Sequence, residues 1–105
     1  MILNKDLRCL ILKCIIYNNT EEFLKDTLDI LLENEAQNNL IIANAVKGKE
    51  LDVSDYFIAS VKDDNGAVLL CGICTPPFNI VIYETRNILN EAAVKLLVNT
   101  IISHK

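Results

Sequence analysis

Apolar residues along this chain change spacing several times, and each change marks an element. From Leu7 to Tyr17 the run LRCLILKCIIY is nearly continuous, broken only by Arg8 and Lys13 and stopped by Asn18-Asn19. A short apolar run bounded in this way predicts a well-buried strand. The next segment, Asn19-Thr20-Glu21-Glu22, offers a capping side chain, a Glu three residues on and acids in the first turn, which is a helix start. Phe23, Leu24, Leu28, Leu31 and Leu32 then recur at helical spacing, so a helix is expected over 20–33. After the polar patch ENEAQNN, a second helical stripe of Ala36, Leu40, Ile41, Ala43 and Val46 follows, closed by Gly48 as its C′ residue.

Past the polar stretch 49–55 the spacing turns extended. Tyr56–Val61 has strand composition, Asp63-Asp64-Asn65-Gly66 is a hairpin signal because Asn-Gly accepts positive φ, and Ala67–Cys74 reads as a central strand. Pro76-Pro77 interrupts pairing, since neither ring has an N–H to donate, and Phe78–Tyr83 starts a further strand. The run ILNEAAVKLLVNTII, residues 88–102, closes the chain as an amphipathic helix with Ala92, Ala93, Leu96, Leu97 and Ile101 inward. The predicted order is β-α-α-β-β-β-α, an α+β fold with a mainly antiparallel sheet. The 105 residues make one domain, 1–105, with no repeat or linker.

Composition and charge narrow the functional classes. The net charge is −4, and Lys5, Arg8 and Lys13 form the only basic cluster, too few to track phosphates, so nucleic acid is not an expected partner. Glu21, Glu22, Asp26, Asp29, Glu33 and Glu35 against Lys25 alone read as a solvated helix face. The apolar runs are far shorter than the roughly 20 residues a bilayer span needs, so no membrane association is expected. Asp6, Arg8 and Lys13 break the N-terminal run, and no small-residue cleavage site follows it, which leaves a cytoplasmic protein as the expectation.

The four cysteines, at 9, 14, 71 and 74, include a C-x-x-C pair. A redox pair belongs at a helix N-terminus, but Thr75-Pro76-Pro77 cannot start that helix at once. Positions three apart on a strand also point to opposite faces. The spacing Cys9-x4-Cys14 is slightly long for a zinc knuckle and lies in a strand. Buried, reduced thiols acting as small hydrophobes are the expectation, with no metal.

Two segments carry a resemblance. LENEAQNNLI at 32–41 and CTPPFN at 74–79 resemble, in the right order, the N-terminal half of a bacterial group of GNAT-family N-acetyltransferases. There, ENEA-x-NNL joins the first two helices and TPP interrupts the third strand. The resemblance covers about Tyr17 to Ile102 and implies a GNAT-like half-fold with this same order of elements. Members of the family hold the acetyl-CoA pyrophosphate in a Q/R-x-x-G-x-G/A loop after the fourth strand, through backbone amides at a helix N-terminus. Here the corresponding run is Arg86-x-x-Leu89-x-Glu91, without the small residues, and Glu84 and Glu91 oppose phosphate. No cofactor is expected to bind this chain, although acetyl-CoA is the cofactor of the parent family. The resemblance implies that the strands admitting the pantetheine arm and supplying the acid for the leaving thiolate would follow Lys105, so a truncated product or a stand-alone remnant is the expectation.

Other catalytic patterns are weak. His104, the sole histidine, reads as a terminal surface residue, Glu33 and Glu35 diverge on a helix, and Ser54, Ser60 and Ser103 have no local histidine partner. No catalytic residue is assigned. The expectation is the non-CoA-binding portion of a GNAT-like acyltransferase, inactive alone, that shapes an acceptor-substrate groove or a domain or dimer interface. Its partner would be a second copy or the missing catalytic half, because a half-sheet leaves an open edge. The alternatives are a stand-alone interaction module and, further off, a metal or thiol-redox protein. Within the resemblance the ENEAQNN elbow borders the acceptor groove, so Glu35, Asn38 and Asn39 are the candidate substrate-proximal residues.

Overall fold

The computed structural model describes residues 12–85 and 90–104. Along them run β1 (Lys13–Ile16), α1 (Thr20–Leu32), α2 (Glu35–Lys47), a 3-10 turn (Gly48–Glu50), β2 (Phe57–Lys62), β3 (Val68–Cys74), β4 (Val81–Glu84) and α3 (Asn90–His104). The four strands form one antiparallel sheet in the order β1-β2-β3-β4. This is the expected α+β order, with residues 7–11 of the first predicted strand outside the described residues.

Register sorts the strand side chains into two faces. Ile15, Ser60, Cys71 and Tyr83 stand opposite one another across the sheet and face α1 and α2. Alternate residues, including Cys14, Ala59, Val61 and Leu70, face α3. The sheet is therefore sandwiched between a helix pair and a single helix, each burying its own core cluster. Phe23, Leu31 and Ile41 fill the first cluster, and Leu69, Leu70, Ala93 and Leu97 fill the second.

Local chemistry explains the first helix. Asn19 has extended backbone angles and its side-chain oxygen accepts from the Glu22 amide at 2.9 Å, so the predicted cap is in place. Its acidic residues Glu21, Glu22, Asp26 and Asp29 lie on the exposed side, as the charge pattern implied.

Five expectations are corrected. Of the predicted α2 stripe only Ile41 is buried, together with Asn38 and Ala45, while Ala36, Leu40, Ala43 and Val46 are exposed. Apolar residues lie on both sides of this helix, and Asn38 settles the phase by donating from Nδ2 to the Leu31 carbonyl at 3.1 Å. Gly48 does not take the left-handed C′ conformation, since its φ is −64°. It is glycine for space: a Cβ there would lie 2.8 Å from Thr20 Cγ2.

The 63–66 turn differs from the mirror-image type that Asn-Gly suggested. Only Gly66 has positive φ, at 84°, and Asp63 organises the turn by accepting from the Asn65 and Ala67 amides at 2.9 and 3.0 Å. That arrangement brings a bulge, visible where the pairing steps from Val61↔Leu70 to Lys62↔Val68. The fourth strand starts at Val81, not Phe78, because a turn in which the Phe78 amide donates to the Thr75 carbonyl at 3.0 Å occupies its predicted start. Finally, only Cys71 of the described cysteines is fully buried; Cys14 and Cys74 are partly exposed, all three are free, and Cys9 lies outside the described residues.

Candidate functional site

The ENEAQNN elbow and the C-terminal end of β4 meet in an open cleft of about 560 Å³, lined by Glu33, Asn34, Gln37, Tyr83, Glu84 and Thr85. Each wall has a local cause. Leu32 ends α1, the Asn34 amide donates back to the Leu31 carbonyl at 3.2 Å, and the chain re-enters a helix at Glu35, so Glu33 and Asn34 stand at the bend. Asn34 occupies the N-cap position of α2 without making a side-chain cap. Its Nδ2 instead donates to the Tyr83 hydroxyl at 2.8 Å, tying the elbow to β4.

Tyr83 is largely buried, with its hydroxyl at the cleft. Thr85 fixes the strand end: its amide and its hydroxyl each donate to the Leu69 carbonyl at 2.9 Å, at the β3 bulge. The cleft thus has two carboxylates, two side-chain amides, a phenol and a hydroxyl on a frame locked by hydrogen bonds. Its chemistry favours a small polar ligand carrying positive charge or hydrogen-bond donors, and it opposes phosphate.

The sequence candidates fall around this cleft, outside its lining. Asn38 is buried between the helices, with its amide committed to Leu31. Glu35 and Asn39 are exposed on α2. The elbow is therefore represented in the cleft by Glu33, Asn34 and Gln37. Their segment was legible, but which side chains face inward depends on the phase of α2. Tyr83, Glu84 and Thr85 had a weaker signal, the strand end next to the elbow in the predicted order.

Two further polar features lie elsewhere. Tyr17 donates to Asp26 Oδ2 at 2.6 Å and shares a 2.7 Å hydrogen bond with the buried Ser60 hydroxyl, while Lys62 pairs with the same Asp26 oxygen at 3.0 Å. Burial, then the Asp26 contact, raises the Tyr17 phenol, and the hydrogen bonds from Tyr17 and Lys62 lower the Asp26 carboxyl. The groups of this cluster are satisfied by one another, so it ties α1 to β2 and to Tyr17 at the end of β1. Cys71 is pushed up to about 12 by burial, which makes it a poor nucleophile. Among the described residues no three His, Cys, Asp or Glu side chains converge to hold a metal, and no helix is long and apolar enough to cross a membrane.

Comparison with known proteins adds no relative: no family model, no curated protein and no solved structure matches the chain.

Proposed function

We propose that this chain is the N-terminal, non-CoA-binding portion of a GNAT-like N-acetyltransferase and that the elbow cleft is part of its acceptor-substrate groove. The observation that carries the reading is the position of the cleft. It lies at the ENEA-x-NNL elbow, which the resemblance puts at the border of the acceptor groove, where the elbow meets the end of the fourth strand. The α+β order of elements and the antiparallel sheet support this reading. Glu33 and Glu84 give the cleft the charge that would attract a protonated amine, the ordinary resting form of an acyl acceptor in this class of reaction. Acetyl-CoA would be held by a partner segment, because Leu89 and Glu91 stand where the phosphate loop has its small residues.

The test is an amide NMR titration with a small diamine. Shifts concentrated at Glu33, Asn34, Gln37 and Glu84, lost in Glu33→Gln/Glu84→Gln, are expected. Uniform or absent shifts would remove the acceptor role. A second reading, a stand-alone interaction module without enzymatic role, draws on a different observation, the exposed apolar side of α2, and needs no amine binding.

A further inference from the structure

Helix α2 has two apolar sides, and the fold uses one. Asn38, Ile41 and Ala45 face the core. Ala36, Leu40, Ala43 and Val46 recur at spacings of four, three and three, the rhythm of a single stripe at 3.6 residues per turn, and all four are exposed. Leu40 is 57% exposed and Val46 51%, large values for aliphatic side chains in a regular helix. A solvated helix face would be expected to carry charge there, as α1 does with Glu21, Glu22, Lys25, Asp26 and Asp29.

We infer that this outer face of α2 is a self-association surface whose occupant is α2 of a second copy of the chain, packed antiparallel about a two-fold axis. Shape and charge both select that partner. Leu40 and Ala43 lie on either side of the helix midpoint, so a perpendicular two-fold sets Leu40 of each copy against Ala43 of the other. A large side chain then enters the space over a small one, twice. The first turn carries Glu35 and the last turn Lys47. Antiparallel packing brings Glu35 of one copy toward Lys47 of the other at both ends and opposes the helix dipoles, whereas parallel packing would set Glu35 against Glu35. The contact is a few turns of one helix, so the association is weak and concentration-dependent. It does not depend on the cleft, whose α2 residue, Gln37, lies on a different side of the helix.

Sedimentation equilibrium of the full chain at low salt, from about 10 µM to about 1 mM, reads this directly. The mass should rise toward a dimer with concentration. Leu40→Glu, at an exposed site that leaves the circular dichroism spectrum unchanged, should weaken dimerisation at least tenfold. Glu35→Lys alone should weaken it several-fold, and Glu35→Lys/Lys47→Glu should restore it. A monomer at every concentration, or a dimer that neither Leu40→Glu nor the charge exchange affects, would overturn the inference.

Discussion

The two faces of the sheet are covered differently. On one side α1 and α2 lie together over β2, β3 and β4, and that interface contains polar ties: Tyr17 with Ser60 and Asp26, Asn38 with the Leu31 carbonyl, and Asn34 with Tyr83. On the other side α3 alone covers β1 to β3 over an apolar cluster of Ala59, Val61, Leu69, Leu70, Ala93 and Leu97. A helix is about 10 Å across and the outer strands of a four-stranded sheet stand about 14 Å apart. One helix cannot reach both edges. The row Ile16, Ala59, Gly72 and Ile82 shows the consequence: Ala59 is buried at its centre, while Ile16 and Ile82 at its ends are 38% and 40% exposed. On the wide face the buried Ser60, Asn38 and Thr27 side chains each have a hydrogen-bond partner; the narrow face is mainly apolar, with a Cys14–Thr100 side-chain hydrogen bond between β1 and α3.

The largest expected effect separates the two interfaces. Phe23 is fully buried and meets the Tyr17 ring edge-on at 5.6 Å. Phe23→Ala should cost about 3–5 kcal/mol in urea unfolding, and Leu97→Ala about 2–5 kcal/mol. A loss below about 1 kcal/mol at either site would mean that its helix is not part of the cooperative unit.

Next in size is the point where the helix pair closes on itself. Gly48→Ala puts a methyl 2.8 Å from Thr20 Cγ2 and should cost about 1–3 kcal/mol. Thr20→Ser in that background removes the colliding methyl and should recover part of the loss; no recovery would refute the close-approach explanation of Gly48.

Tyr17→Phe leaves the buried Ser60 hydroxyl without its partner and should also cost about 1–3 kcal/mol. It should change pH dependence as well. The Tyr17 phenol is raised from 10.0 by burial and by Asp26, and the Cys71 thiol from 9.0 to about 12 by burial. Each folded state therefore holds its proton more tightly than the unfolded chain does. Their stabilisation is complete below pH 9 and is lost as pH rises through the raised values. Asp26 has the opposite sign: it is lowered from 3.8, chiefly by the Tyr17 hydrogen bond, so its stabilisation is present above that pH and lost as pH falls below it. Urea midpoints measured from pH 3 to pH 11 should show a shallower alkaline decline in Tyr17→Phe and in Cys71→Val. Unchanged slopes would exclude these groups as the cause.

The smallest effect belongs to the surface end of the same network. Lys62 and Asp26 pair at 3.0 Å with side chains 20% and 32% exposed, so Lys62→Met should cost less than about 1 kcal/mol.

What sequence could reveal follows the same division. Elements with one unambiguous apolar side or a capping residue were legible: α1 through Asn19 and its Phe23–Leu31 stripe, and α3 through Ala93 and Leu97. Helix α2 was legible as a helix but not in which side it buries, because apolar residues lie on both of its sides and the Asn38 hydrogen bond that accompanies the buried side is invisible in the pattern. The elbow could be singled out as polar residues between helices. Its cleft-facing members Glu33, Asn34 and Gln37 could not be told from Glu35 and Asn39 without that phase. Gly48 looked like a helix stop because crowding by Thr20, nearly thirty residues earlier, leaves no local trace.

The central claim, that this chain offers an acceptor-side cleft without a cofactor site, is tested most directly by calorimetry. A small diamine and acetyl-CoA are titrated separately into the same protein. The account predicts heat from the diamine that disappears in Glu33→Gln/Glu84→Gln, and no micromolar binding of acetyl-CoA. Micromolar acetyl-CoA binding with no response to the diamine would contradict it.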